Sequence, residues 1–118
     1  ITRVKEFYIH DADCLLISYG ASARTALHVV ENRRERGEKL GLLELQSLWP
    51  FPAEVVRKRC ASVNYVIVVE MNMGQIFHEV TSVVEERNKV FLANKIDGTF
   101  ITPSDVLDIL RIIQGKGA

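Results

Sequence analysis

Cys14-Leu15-Leu16-Ile17-Ser18-Tyr19-Gly20-Ala21-Ser22-Ala23-Arg24 and Tyr65-Val66-Ile67-Val68-Val69-Glu70-Met71-Asn72-Met73-Gly74-Gln75 share one plan. In each, an unbroken apolar run stops at polar residues and a glycine, and helical periodicity follows. A strand that is apolar on both faces has to lie inside a sheet covered on both sides, as parallel strands do in α/β folds. Ligands of open α/β sheets sit beyond the carboxyl ends of the strands, where successive connections leave in opposite directions. The loops Tyr19–Arg24 and Glu70–Gln75 are therefore the first places to look for a site.

Working outward, Val4 to Ile9 reads as a short edge strand, because Lys5 and Glu6 would be awkward inside a sheet. After Gly20, residues Ala23, Ala26, Leu27 and Val30 recur at helical spacing, with Ser22 near the start and Gly37 as the stop. Leu40 to Leu48 is a further apolar run, ended by Trp49-Pro50-Phe51-Pro52, since two prolines in three residues remove ladder donors. Pro52 suits the first turn of a helix facing inward through Ala53, Val56 and Cys60. Tyr65 to Val69 is the most β-branched run and reads as central. Gly74 opens a helix with Ile76, Phe77, Val80, Val83 and Val84 on one stripe. Val90 to Ala93 is the last strand. Thr102-Pro103-Ser104-Asp105 then starts a helix with Thr as cap, Pro at the first position and Asp closing a box. The order β, β, α, β, α, β, α, β, α predicts a three-layer α/β/α domain with right-handed crossovers.

Composition narrows the function classes. The 118 residues suit a single domain over 1–118, and a net charge of zero gives no basic field for nucleic acid or an anionic membrane. Arg33, Arg34 and Arg36 lie among Glu31, Glu35 and Glu38, which reads as a mixed, solvated helix end. No apolar run approaches the ~20 residues of a membrane span. The two cysteines, Cys14 and Cys60, lack metal-type spacing and read as reduced, buried thiols of a cytoplasmic protein. The sequence begins at Ile1 without a methionine and reads as a domain cut from a longer polypeptide.

Chemistry-bearing motifs are sparse. Tyr19, Gly20, Ser22 and Arg24 form a strand-to-helix turn that suits a phosphate or carboxylate, with Arg24 adding a forked donor. The chain contains neither GxGxxG nor GxxxxGK[ST], and the plain alternative is a tight turn with a capped helix. Glu70, Asn72, Gly74 and Gln75 gather a carboxylate, two amides and a glycine, suited to orienting a ligand or docking a neighbouring domain. Their plain alternative is local satisfaction, with Glu70 paired to a basic residue across the edge. Histidines 10, 28 and 78 form no metal pattern, and Ser18 lacks the GxSxG elbow, so no catalytic residue and no metal ligand is assigned. Trp49, Pro50, Phe51 and Pro52 make a rigid apolar bracket, either for docking and some self-association or simply capping the sheet.

Read together, Tyr19-Gly20-Ala21-Ser22-Ala23-Arg24, Gly41-Leu42-Leu43-Glu44-Leu45 with Leu48-Trp49-Pro50-Phe51-Pro52, Val69 to Gln75, and Asn94-Lys95-Ile96-Asp97-Gly98 with Ile101-Thr102-Pro103 acquire a family likeness. In order and spacing they resemble the C-terminal domain of the alpha chain of 2-oxoacid:ferredoxin oxidoreductases. The resemblance implies a transketolase C-terminal-like fold, with five strands in the order 1-3-2-4-5 and the first antiparallel. It also implies a complex that decarboxylates a 2-oxoacid, 2-oxoglutarate being favoured, to an acyl-coenzyme A and passes electrons to ferredoxin. Thiamine diphosphate, magnesium and iron–sulfur clusters are then expected on the rest of the complex and none in this domain. Its partners would be the N-terminal domain of the same chain, a thiamine diphosphate-binding beta subunit and, among small molecules, coenzyme A, with no nucleic acid and no membrane. Ala21 stands where relatives often carry serine. Two other readings stay open: a regulatory module binding a small molecule or nucleotide, and the equivalent domain of a transketolase or of a 2-oxoacid dehydrogenase beta chain.

Overall fold

The computed structural model describes residues 3–71, 74–95 and 97–116. Along the chain run β1 (Val4–Phe7), β2 (Cys14–Ser18), α1 (Ala21–Glu35), β3 (Leu40–Leu45), α2 (Ala53–Ala61), β4 (Tyr65–Glu70), α3 (Gln75–Val83), a 3-10 turn (Arg87–Lys89), β5 (Val90–Asn94) and α4 (Pro103–Lys116). The strands form one sheet in the order β1-β3-β2-β4-β5. β1 is antiparallel to β3, and the remaining pairs are parallel. Both the layer arrangement and the implied strand order are therefore observed. β2, rather than β4, is the middle strand.

Side-chain alternation sorts the apolar residues into two cores. Leu15, Ile17, Leu43, Val66 and Val68 pack with Val56, Cys60, Ile76 and Val80 from α2 and α3. Leu16, Leu42, Ile67 and Val69 face the other way, onto Ala26, Val29 and Val30 of α1 and Val106, Leu110 and Ile113 of α4. Continuous apolar runs thus serve two helical layers at once. The connection after β2 crosses to β3 while that after β4 crosses to β5, so the loops after these adjacent strands flank the switch point.

Several element ends differ from the sequence reading. β1 stops at Phe7, not Ile9, because Tyr8 adopts φ 57°, outside the extended region. Arg34 holds that turn: Nη2 donates to the Tyr8 carbonyl at 2.9 Å, Nη1 and Nη2 donate to the Asp11 carboxylate, and Nε donates to the Leu40 carbonyl. The arginine cluster is accordingly not just a solvated helix end. Arg33 does pair within it, with Glu38 at 3.2 Å, but Arg34 ties α1 to the β1–β2 turn. β3 ends at Leu45, three residues early, where the chain leaves the ladder toward the prolines. Val84 lies beyond α3 in extended backbone yet stays buried. No helix among the described residues is long and apolar enough to cross a membrane.

The start of α4 follows the expected box. Asp105 N–H donates to Thr102 Oγ1 at 3.3 Å, and Thr102 N–H donates to Asp105 Oδ2 at 2.8 Å. That backbone bond leads the forces holding the Asp105 carboxyl below its ordinary value of 3.8, with Thr102 Oγ1 and Lys95 assisting. A depressed carboxyl contributes stability that is complete above its unfolded pKa and is lost as pH falls through the lower folded value. Asp105→Asn should therefore lower the unfolding midpoint near neutrality, with the difference shrinking as pH falls below the ordinary carboxyl value of 3.8 and through the depressed folded one. Thermal melts of both proteins from pH 7 to 2 check this, and a constant gap across the range would contradict it.

Candidate functional site at the carboxyl edge of the sheet

The first loop begins where β2 runs out of apolar residues. Ser18 is fully buried and its Oγ donates to the Val69 carbonyl at 2.7 Å, which pins the ends of β2 and β4 together. Gly20 at φ 59°, ψ −143° is the N-cap of α1, a backbone conformation that only glycine adopts readily. Ser22 lies near the helix start as expected, within the first turn, and is buried at 4 % exposure. With no side-chain cap and no acidic residue in that turn, the leading N–H groups of α1 and roughly half a positive charge face the carboxyl edge. Arg24 stands exposed one turn in.

The second loop is arranged differently. Glu70 is the last residue of β4 and is completely buried, on the α2/α3 side. Its Oε2 accepts from Phe77 N–H at 2.8 Å, and Oε1 accepts from Ile76 N–H at 3.3 Å and from the Tyr19 hydroxyl at 3.1 Å. Among the described residues no basic side chain is its partner, so the plain alternative drawn from the sequence, pairing across the edge, is not what satisfies it. Distance in sequence hid this arrangement, because the amides in need lie six and seven residues on. The carboxylate fills the anion position at the N-terminus of α3, so this loop holds no vacant place for a ligand anion there. Gly74, the N-cap, sits at φ 86° and is buried against Leu92, where an added Cβ would come within 3.3 Å of Cδ2. Gln75 opens the helix and is exposed. Asn72 lies outside the described residues.

The apolar bracket divides in two. Pro52 is buried, and Phe51 is half-buried with one side packed against the α2/α3 core. Trp49 is 65 % exposed and Pro50 projects with it across a cis peptide bond. Trp49 shares an open cleft of about 730 Å³ with Gly74, Gln75, Phe77, His78 and Glu79. The structure thus unites Tyr19 with Glu70 and Trp49 with the start of α3, while Gly20, Ser22 and Arg24 lie apart from that cleft.

The donor set at this edge can hold an anion or present an apolar contact. Among the described residues, no group of three His, Cys, Asp or Glu could hold a metal ion. Cys14 and Cys60 belong to cores on opposite faces of the sheet, so they cannot share an iron–sulfur cluster. Burial pushes both thiols up to about 12, leaving neither as a nucleophile near neutrality.

Comparison with known proteins agrees with this geometry. The chain is 36 % identical over 92 % of its length to the 2-oxoglutarate synthase subunit KorA of Methanothermobacter marburgensis, and 35 % identical over 97 % to the ketoisovalerate oxidoreductase subunit VorB of the same organism. It spans 29 % and 32 % of those two proteins. A 2-oxoglutarate:ferredoxin oxidoreductase from Magnetococcus marinus, solved with 2-oxoglutarate, coenzyme A and succinyl-CoA bound, superposes with a TM-score of 0.81 at 20 % identity, over 92 % of this chain and 19 % of that one. A split-gene transketolase in an inactive β4 tetramer gives 0.73 at 20 % identity, over 92 % and 40 %. Residues 12–106 match the model of the pyruvate:ferredoxin oxidoreductase core domain II, and the chain belongs to that family.

Proposed function

We propose that this single domain is a non-catalytic unit of a longer alpha chain, in a complex that oxidatively decarboxylates a 2-oxoacid to acyl-coenzyme A and reduces ferredoxin. The observation that carries this reading is identity to subunits of such enzymes across nearly the whole chain. The engagement of Glu70 supports it, since the one buried carboxylate at this edge is held by Tyr19 and the first amides of α3. Thiamine diphosphate, magnesium and the iron–sulfur clusters then belong to the beta subunit and other parts of the complex. 2-Oxoglutarate is the favoured acid, from the similarity to KorA, and the cytoplasm the favoured compartment.

In this reading Trp49 and the cleft at the start of α3 meet the N-terminal domain of the same chain or a partner subunit, while the open first turn of α1 with Arg24 is the place for coenzyme A. A half-solvated indole on a proline-stiffened loop contributes little to its own domain and much to a contact that buries it. Trp49→Ala should change the domain's stability by under about 0.5 kcal/mol yet weaken assembly of the natural alpha chain with its beta subunit about tenfold or more. Urea unfolding and sedimentation of the reconstituted complex measure the two. Turnover of a 2-oxoacid by the 118-residue chain alone, given coenzyme A and ferredoxin, would refute the reading.

A further inference from the structure

At the opposite end of the sheet, below the amino ends of β2, β3 and β4, lies a second cleft of about 290 Å³. Cys14, Leu110 and Ile113 form its apolar floor, each 5 % exposed or less, and the half-buried Tyr65 flanks them. Asp13 and Glu38 stand at its rim. Gly37, just beyond the end of α1, and Gln114, in the last turn of α4, also line it, and helix carboxyl ends carry partial negative charge.

The rim charges are unequal in availability. Glu38 is already engaged, Oε2 by Arg33 at 3.2 Å and Oε1 by Gln114 Nε2 at 2.8 Å. The exposed Asp13 side chain has no ion pair or hydrogen bond among the described residues. Both carboxylates act on the floor: after burial, Asp13 and then Glu38 are what raise the Cys14 thiol. Lys39 also stands at the rim, and its charge acts on Asp11.

We propose that this cleft binds an organic cation, with an ammonium or guanidinium group beside Asp13 and the two helix ends and an apolar body seated on Cys14, Leu110 and Ile113. The space corresponds to about ten waters at roughly 30 Å³ each, which suits a body the size of a phenethyl group. The cation can be a free amine or a lysine or arginine side chain of another polypeptide, since the chemistry recognised is the same. The inference is independent of the reading above.

Phenethylamine, 2-phenylethanol and 3-phenylpropionate share one body and differ in charge, so titrating each into the 15N-labelled chain isolates the cation. Phenethylamine should shift the amides of Lys39, Tyr65 and Gln114 with a Kd of about 1 mM, the alcohol should bind at least about fivefold more weakly, and the acid should not bind. Asp13→Asn, at an exposed position that leaves the fold intact, should remove most of the preference for the amine over the alcohol. Acetyl-Lys-Phe-amide binding more tightly than phenethylamine would point to a polypeptide as the source, and weaker binding to a free amine. Equal binding of the three congeners, no shift at 10 mM (about ten times the expected Kd), or an unchanged preference in Asp13→Asn would each overturn the proposal.

Discussion

Glu70→Ala is expected to lose about 3 kcal/mol of folding stability. The side chain has no exposed surface and serves two backbone N–H groups and one phenol. Its removal strands the amides of Ile76 and Phe77 at a helix start that no other side chain among the described residues caps. A buried unmet donor costs about 1–3 kcal/mol, and the lost charge at the helix N-terminus adds to it. Recovering the desolvation cost of the carboxylate offsets part of that sum. Glu70→Gln keeps one acceptor and should lose about half as much, while Tyr19→Phe, which removes only the hydroxyl, should lose about 1 kcal/mol. Urea denaturation of the three variants gives the ranking. A Glu70→Ala midpoint equal to that of the parent would show that the carboxylate's bonds merely repay its burial.

Gly41→Ala is expected to destabilise by about 3 kcal/mol, at the upper end of overpacking costs. The restriction is one of space. A Cβ at this position of β3 would lie 2.7 Å from the Tyr8 carbonyl oxygen, 3.0 Å from Ala12 Cβ and 3.3 Å from the Phe7 carbonyl oxygen. The Tyr8 carbonyl cannot retreat without giving up its bond to Arg34, and Tyr8 itself is already at positive φ. Relief has to come from β1, an edge strand paired only with β3. Amide exchange at Phe7 and in the β1 ladder should accelerate in the variant alongside a drop in thermal midpoint of roughly 10 °C or more. Unchanged exchange in β1 would mean that the turn around Tyr8 yields more easily than its contacts imply.

The layers, the order of elements and the pairing of the two loops were all readable from residues. Runs such as Leu15-Leu16-Ile17 and Val66-Ile67-Val68 announce two-sided burial because alternate side chains go to different cores. The box at Thr102 and Asp105 was equally readable, since both partners lie within one turn. Roles that depend on distant groups were not. Arg34 reads as one of several helix-end arginines until the fold brings Tyr8, Asp11 and Leu40 to it, and Glu70 reads as a ligand-facing carboxylate until the start of α3 folds back over it. Phe51 and Trp49 read alike, yet one packs inward and the other faces solvent.

Sequence alone determined the three-layer plan and the end of the sheet where connections diverge, because hydrophobic periodicity and helix signals are local and their consequence for burial is fixed by backbone geometry. Tertiary structure alone decided which polar groups at that end were consumed by the fold and which stayed open, because a buried donor takes whichever acceptor the packing of distant segments brings within reach.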